Sequence, residues 1–174
     1  MRKTIVLLGL MVCFAMGLSA QNIVGKWRAQ PDTDEEGQQA VIEFTFSQDK
    51  TLLINMIVSM NDPESMELNF HFSIDGTYAN VENNVIPFKL NADKAVIAID
   101  KLEFNGQMAE QMKDNEEMAV GIKKMMQKQI DASKDEMIQE FPSEGSFTIS
   151  EFSGNTMKIQ MSGDDQVLTL TKVE

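Results

Sequence analysis

The sequence predicts a mainly β protein: an antiparallel up-and-down barrel of eight to ten short strands, with one long helical insertion before the last three strands. Segments in which apolar and polar residues alternate recur through most of the chain, and short turn sequences separate them. Residues 106–141 differ, because they lack proline, contain few β-branched residues and repeat their apolar positions at helical spacing. A β-sandwich is the alternative arrangement of the same strands.

The strands before the helix begin with a short segment around residues 24–29. The next two, 40–46 and 51–60, are joined by the turn "SQDK", and a longer strand starts at Met66. Strict alternation of apolar and polar side chains is typical of a strand with one buried face. The apolar faces of the clearest alternating strands are therefore expected to line the barrel interior and any ligand in it: Ile42, Phe44, Phe46, Phe70, Phe72 and Ile74.

The remaining strands are bounded by residues that favour turns. Gly76 permits a bend, and Asn83-Asn84 predicts a tight hairpin into the strand "VIPFKL". A strand over 95–104 leads to the helix. After the helix, the sequence predicts three further strands, which are "GSFTISEF", "TMKIQM" and "QVLTLTKV".

Residues 1–20 have the pattern of a cleavable signal peptide. Arg2 and Lys3 form a basic start, an apolar stretch follows, and Leu18-Ser19-Ala20 offers a cleavage site before Gln21. Residues 21–174 then suit a single domain, exported to the periplasm or beyond. Cys13, the sole cysteine, lies inside the apolar stretch and follows Val12, which favours soluble export over a lipid anchor. No second apolar stretch is long enough for a membrane-spanning helix.

The charge balance excludes some classes of partner. The chain carries 27 acidic and 15 basic residues, for a net charge of −12. Nucleic acids and anionic membranes need cationic surfaces, so neither is an expected partner. Removal of Cys13 with the signal peptide would also leave no disulfide and no thiol nucleophile.

A resemblance to a known family comes from residues 22–27, "NIVGKW". Gly25 and Trp27 on the first strand are similar to the opening motif of the lipocalins, whose tryptophan closes the floor of an eight-stranded barrel. The chain also resembles small exported bacterial lipocalin-like proteins, in which a strand ending in Gly-Thr-Tyr, here residues 76–78, precedes a tight hairpin. Lys172 is the nearest candidate for the basic residue that covers the tryptophan in that family. The chain departs from the family because three strands follow the helix.

Few residues suggest catalysis or metal binding. His71 is the sole histidine and belongs to the polar face of its strand, so we expect a surface residue. Asp32, Asp34 and Glu36 alternate as calcium ligands can, but the twelve-residue calcium-loop pattern is missing, and a solvated acidic loop is expected. The methionines suit packing better than Cu(I) binding. We therefore predict no enzyme activity, no metal and no cofactor.

The helical segment, residues 106–141, carries an apolar stripe. We expect this stripe to pack on the barrel, at the side or the open end, either as a fixed cover, which we favour, or as a movable lid. Ser133 to Glu136 resembles a capping box and predicts a break near Ala132. The residues expected to form the cover are Met108, Met112, Ile122 and Met126.

Two functions remain open at this point. The first is non-enzymatic binding of a small hydrophobic ligand in the barrel, which a barrel of about eight strands can hold. The second is a structural or protein-interaction module of the cell envelope, whose barrel is filled by its own side chains. The sequence does not distinguish an open interior from a filled one.

Overall fold

The structure, a computed structural model, describes residues 22–31, 38–113 and 115–173, and only the backbone of Met137 and Glu140. The signal peptide predicted over residues 1–20 and the acidic run 32–37 lie outside the described residues.

The described residues form nine strands, two α-helices and a single-turn 3-10 helix. The strands are β1 (Gly25–Ala29), β2 (Gln38–Phe46), β3 (Thr51–Asp62), β4 (Met66–Tyr78), β5 (Val85–Leu90), β6 (Val96–Phe104), β7 (Glu144–Phe152), β8 (Thr156–Met161) and β9 (Val167–Val173). The α-helices are α1 (Gly106–Lys113) and α2 (Glu116–Glu140), and the 3-10 helix spans Ala92–Lys94.

Eight of these strands close into an antiparallel barrel. The sheet runs in the order β3-β2-β1-β9-β8-β7-β5-β4, and β3 pairs with β4 to complete the ring. The ninth strand, β6, pairs with β4 outside the ring, and the two helices connect β6 to β7. The predicted barrel, with a helical insertion before the last three strands, is therefore confirmed.

One edge of β4 is shared by two strands. Residues 66–73 pair with β6, whereas Gly76–Tyr78 pair with β5. At the change of partner, a Cβ on Gly76 would lie 2.2 Å from the carbonyl oxygen of Lys89 on β5. Glycine is required here because the β5 backbone approaches too closely for any side chain.

The hairpin between β4 and β5 turns at Asn83-Asn84, as the sequence predicts. Both residues have positive φ, 52° and 64°, and Glu82 and Val85 exchange backbone hydrogen bonds of 3.0 and 2.9 Å. Positive φ at both central positions defines a type I′ turn, whose twist matches that of the flanking strands.

The break in the helical insertion is not where the sequence predicts it. The helix is interrupted between Lys113 and Glu116, and the side chain of Asn115 caps α2 by accepting a hydrogen bond from the Met118 N–H at 3.1 Å. The prediction of a break near Ala132 is wrong. Ser133 lies inside α2, and its hydroxyl donates to the Gln129 carbonyl oxygen at 3.2 Å. A serine that bonds back to the preceding turn is compatible with an uninterrupted helix.

Trp27 closes one end of the barrel. Its side chain is completely buried, and its indole N–H donates to the Ile23 carbonyl oxygen at 2.7 Å. Lys172, its cross-strand neighbour on β9, places Nζ 5.4 Å from the ring centroid. Gly25 has φ +136°, and a Cβ there would lie 2.7 Å from Lys172 Cε. Glycine at position 25 thus leaves room for the lysine stem to cross the barrel end.

We expect Trp27→Ala to lower the free energy of unfolding by ~3–5 kcal/mol, because it empties a completely buried site. Lys172→Ala should cost only ~0.5–1 kcal/mol, as expected for an exposed cation over an aromatic ring. Urea unfolding measures both changes. Since Trp27 is the only tryptophan, its emission in the wild type should be blue-shifted and poorly quenched by iodide. A red-shifted, freely quenched emission would contradict its place in the barrel floor.

Candidate functional site

An apolar cavity of about 210 Å³ lies at the other end of the barrel. Leu168 lines it near the start of β9, whereas Lys172 covers Trp27 near the end of the same strand. The cavity is lined by Pro31, Ile42, Phe44, Met56, Phe141, Phe147, Ile159, Met161, Asp164, Gln166 and Leu168. These residues come from β2, β3, β7, β8 and β9 and from three connecting segments, so closure of the barrel is what assembles the cavity.

Three phenylalanines in the wall are held by other aromatic rings. Phe147 meets Phe44 edge to face at 5.6 Å and stacks on Phe88 at 4.5 Å. Phe141, directly after α2, stacks on the buried Phe72 with centroids 5.7 Å apart and planes at 17°. Such pairs are stabilising beyond the area that they bury, so the rings have defined positions.

Two polar residues of the wall, Asp164 and Gln166, lie in the turn between β8 and β9. The carboxylate Oδ1 of Asp164 accepts from the Gln166 backbone N–H at 2.9 Å, and the Asp164 carbonyl oxygen accepts from Gln160 Nε2 at 2.9 Å. The Asp164 N–H donates to the Met161 carbonyl oxygen at 3.1 Å. Asp164 is exposed, and the turn thus places the sole charged residue of the described wall at the edge of an otherwise apolar cavity.

Of the six residues predicted to line a ligand site, two line the cavity and four lie in or against the packed core. Ile42 and Phe44 line the cavity. Phe46, Phe72 and Ile74 are completely buried or nearly so and belong to the packed core, and the half-buried Phe70 packs against that core. None of these four residues lines the cavity.

Sequence reasoning missed most of the wall, including Met56, Phe147, Ile159, Met161 and Leu168. Each lies on a strand that was predicted. A signal was present in "GSFTISEF" and "TMKIQM", whose alternation puts Phe147 and Ile159 on inward faces. The alternation does not predict the strand register, and the register determines which residues of β2 and β8 meet at the cavity end of the barrel.

The apolar stripe of the helical insertion faces the barrel only in part. Met108, Met112, Ile122 and Met126 are half-buried, and no described side chain of α1 or α2 is completely buried. The helical residues that pack against the core are Ile130 and Ile138, with Phe141 directly after α2. Ile130 and Phe141 belong to the predicted apolar stripe, whereas Ile138 does not. The C-terminal part of α2 thus makes the firm contact with the barrel.

Two further sets of paired charges lie on the outer faces of strands. His71 alternates with inward residues on β4, and its Nδ1 lies 2.8 Å from Asp100 Oδ1, so it is a half-buried paired residue. Glu43, the only buried charged residue among those described, pairs with Lys26 at 2.6 Å and Arg28 at 2.7 Å. Burial raises the pKa of Glu43, but the hydrogen bonds and charges of Lys26 and Arg28 outweigh it and hold that pKa below its ordinary value.

Within the described ranges, no three His, Cys, Asp or Glu side chains are grouped so as to hold a metal ion. Neither helix in this part of the chain is long and apolar enough to cross a membrane. No protein-family model matches the chain, and no curated protein matches it. The β-barrel fold is compatible with a lipocalin-like binding protein.

Because the firm contact lies near the end of α2, substitutions along the helix should differ in effect. We expect Ile130→Ser and Ile138→Ser each to lower the free energy of unfolding by ~1–3 kcal/mol, since each removes apolar contact with the core. Val120→Ser, on an exposed face of α2, is the control and should change it by less than ~0.5 kcal/mol. Urea unfolding compares the three. Equal effects of all three variants would contradict the packing described here.

Proposed function

We propose that the chain is an exported lipocalin-like protein that binds a small hydrophobic molecule, without catalysis, in the cavity at the end of its barrel. The observation that carries this proposal is the cavity itself. It has a volume of about 210 Å³, and its wall is apolar apart from Asp164 and Gln166. Concave sites with mainly apolar walls and a few polar groups are where proteins bind small molecules.

The volume limits the size of the ligand. An engineered apolar cavity of ~150 Å³ binds benzene, whereas pockets for drug-sized ligands span ~300–1,000 Å³. The cavity therefore suits a single ring or a short chain. A sterol or a long acyl chain would need the wall to move. Phe141 is the one aromatic residue of the described wall that does not belong to a strand.

The barrel floor supports the lipocalin-like assignment. The family resemblance rests on Gly25 and Trp27, and it implies a basic residue over the tryptophan. Lys172 occupies that place, with Nζ 5.4 Å from the Trp27 ring, and Gly25 leaves room for its stem. Three residues from the two ends of the chain thus form the arrangement that the resemblance implies.

A protein-interaction module is the second candidate. The middle of the barrel is filled by large side chains, and Met118, Val120 and Met125 are 47–61% exposed on α2. An apolar partner surface could cover them. Solvent extraction of the purified protein, followed by mass spectrometry and a panel of ring compounds and short chains, separates the two functions. Absence of any bound or binding small molecule favours the interaction module.

Two adjacent substitutions test the cavity as the binding site. Leu168→Trp should fill the cavity and abolish binding of a small apolar probe such as 2-phenylethanol, because Leu168 is part of the wall. Val167→Trp is the matched control, since Val167 is 49% exposed and absent from the wall. It should leave binding unchanged. Calorimetric or NMR titration measures both, and circular dichroism confirms that each variant folds. Equal binding by the two variants would place the ligand elsewhere.

Export has a separate test. If residues 1–20 are a signal peptide, protein recovered from the periplasm or medium should begin at Gln21, and its mass should lack the first twenty residues. Ala20→Arg should block cleavage, because the site before Gln21 requires a small residue. Intact-mass spectrometry of each cell fraction measures this. Recovery of the full-length chain solely from the cytoplasm would refute the proposed localisation.

A further inference from the structure

The charges around the cavity limit which small hydrophobic molecules it accepts. Among the described residues of the wall, Asp164 is the only one with a charge, and none is basic. We propose, building on the function proposed above, that the cavity selects an arylalkylamine: an aromatic ring enters the apolar space, and a protonated amine pairs with the Asp164 carboxylate.

The wall suits an aromatic ring. Phe44, Phe141 and Phe147 line the cavity together with Met56 and Met161. Aromatic rings prefer edge-to-face or offset contacts with other rings, and thioethers make favourable contacts with ring edges. Because Phe147 and Phe141 are each stacked on a ring behind them, the cavity is already shaped before a ligand arrives, which reduces the entropic cost of binding.

The same aromatic walls also favour a cation. The face of a phenylalanine ring carries partial negative charge and attracts an ammonium group within about 6 Å. The carboxylate of Asp164 adds a full negative charge in a turn that is fixed by its own hydrogen bonds. An ionised carboxylate has room for further hydrogen bonds beyond the one that Oδ1 accepts from Gln166. The aromatic rings and the Asp164 carboxylate therefore both favour binding of a protonated amine.

A carboxylate ligand fits this site poorly. An anion entering the cavity would lose water without gaining a basic partner from the described wall, and it would lie near Asp164 in a chain of net charge −12. A neutral alcohol would fill the cavity and donate a hydrogen bond to the carboxylate, but it would gain no ion pair. The site therefore ranks ligands of equal size in the order amine, alcohol, carboxylate.

Three probes with one phenyl ring test this order: phenethylamine, 2-phenylethanol and phenylacetate. Titrations followed by NMR at pH 7 and low salt should give the tightest binding for the amine and the weakest for phenylacetate. Asp164→Asn should weaken amine binding roughly three- to fivefold, as expected for an exposed ion pair, and should weaken alcohol binding less, because the asparagine carbonyl oxygen still accepts a hydrogen bond. Asp165→Asn is the matched control, because it removes the same charge one residue away without altering the wall. It should preserve the preference for the amine.

The inference is overturned if phenylacetate binds as tightly as phenethylamine, or if the Asp164 and Asp165 variants weaken amine binding equally. In that case, 2-phenylethanol that still binds, and is still excluded by Leu168→Trp, leaves the proposed function standing without the amine selectivity. If 2-phenylethanol does not bind at all, the proposed function fails together with the inference.

Discussion

The close approach of β5 to Gly76 is the constraint on which the rest of the fold depends. A Cβ at this position would lie 2.2 Å from the Lys89 carbonyl oxygen, so only glycine allows β5 to pair with the end of β4. That pairing is short, covering Gly76–Tyr78, yet it is the link between β4 and β7 through β5. Without it, the ring would open between β4 and β5, and the strands that surround the cavity would no longer be held together.

The same constraint explains where the helical insertion lies. Because β5 occupies only the last residues of β4, the first part of β4 keeps a free edge, and β6 pairs there. The chain then has to return from the end of β6 to the start of β7. The two helices make this return, and the Leu90 N–H donates to the Ser143 carbonyl oxygen at 2.8 Å where the insertion ends. The long helical connection between β6 and β7 is thus needed because β6 lies outside the barrel.

Local patterns predicted the elements of this fold well, and contacts between distant segments account for what they missed. Alternation of apolar residues identifies β2 and β4, and Asn83-Asn84 identifies a turn, because each depends on neighbouring residues alone. The helix break depends on a choice between two candidate caps. Asn115 caps α2, whereas Ser133 bonds back within it. Propensity alone does not decide between them, since packing of Ile130 and Ile138 on the core keeps the C-terminal part of the helix whole. The cavity wall needs the register of strands far apart in sequence, which a single sequence does not supply.

Phe141, directly after α2, is the residue that links the helical insertion to the cavity wall. Its contacts are relevant to whether the insertion is a fixed cover or a movable lid. Ile130 and Ile138 hold α2 on the core, while Phe141 beyond its end stacks on Phe72 and forms part of the cavity wall. Displacing the Phe141 ring alone would lose one stacked pair and the apolar area that the ring buries, whereas detaching the helix would also lose the contacts of Ile130 and Ile138 with the core. A ligand larger than the cavity would therefore move the Phe141 ring before it moved α2. We therefore expect the helix to behave as a fixed cover, and the Phe141 ring, directly after the helix, to be the part of the wall that a larger ligand displaces first.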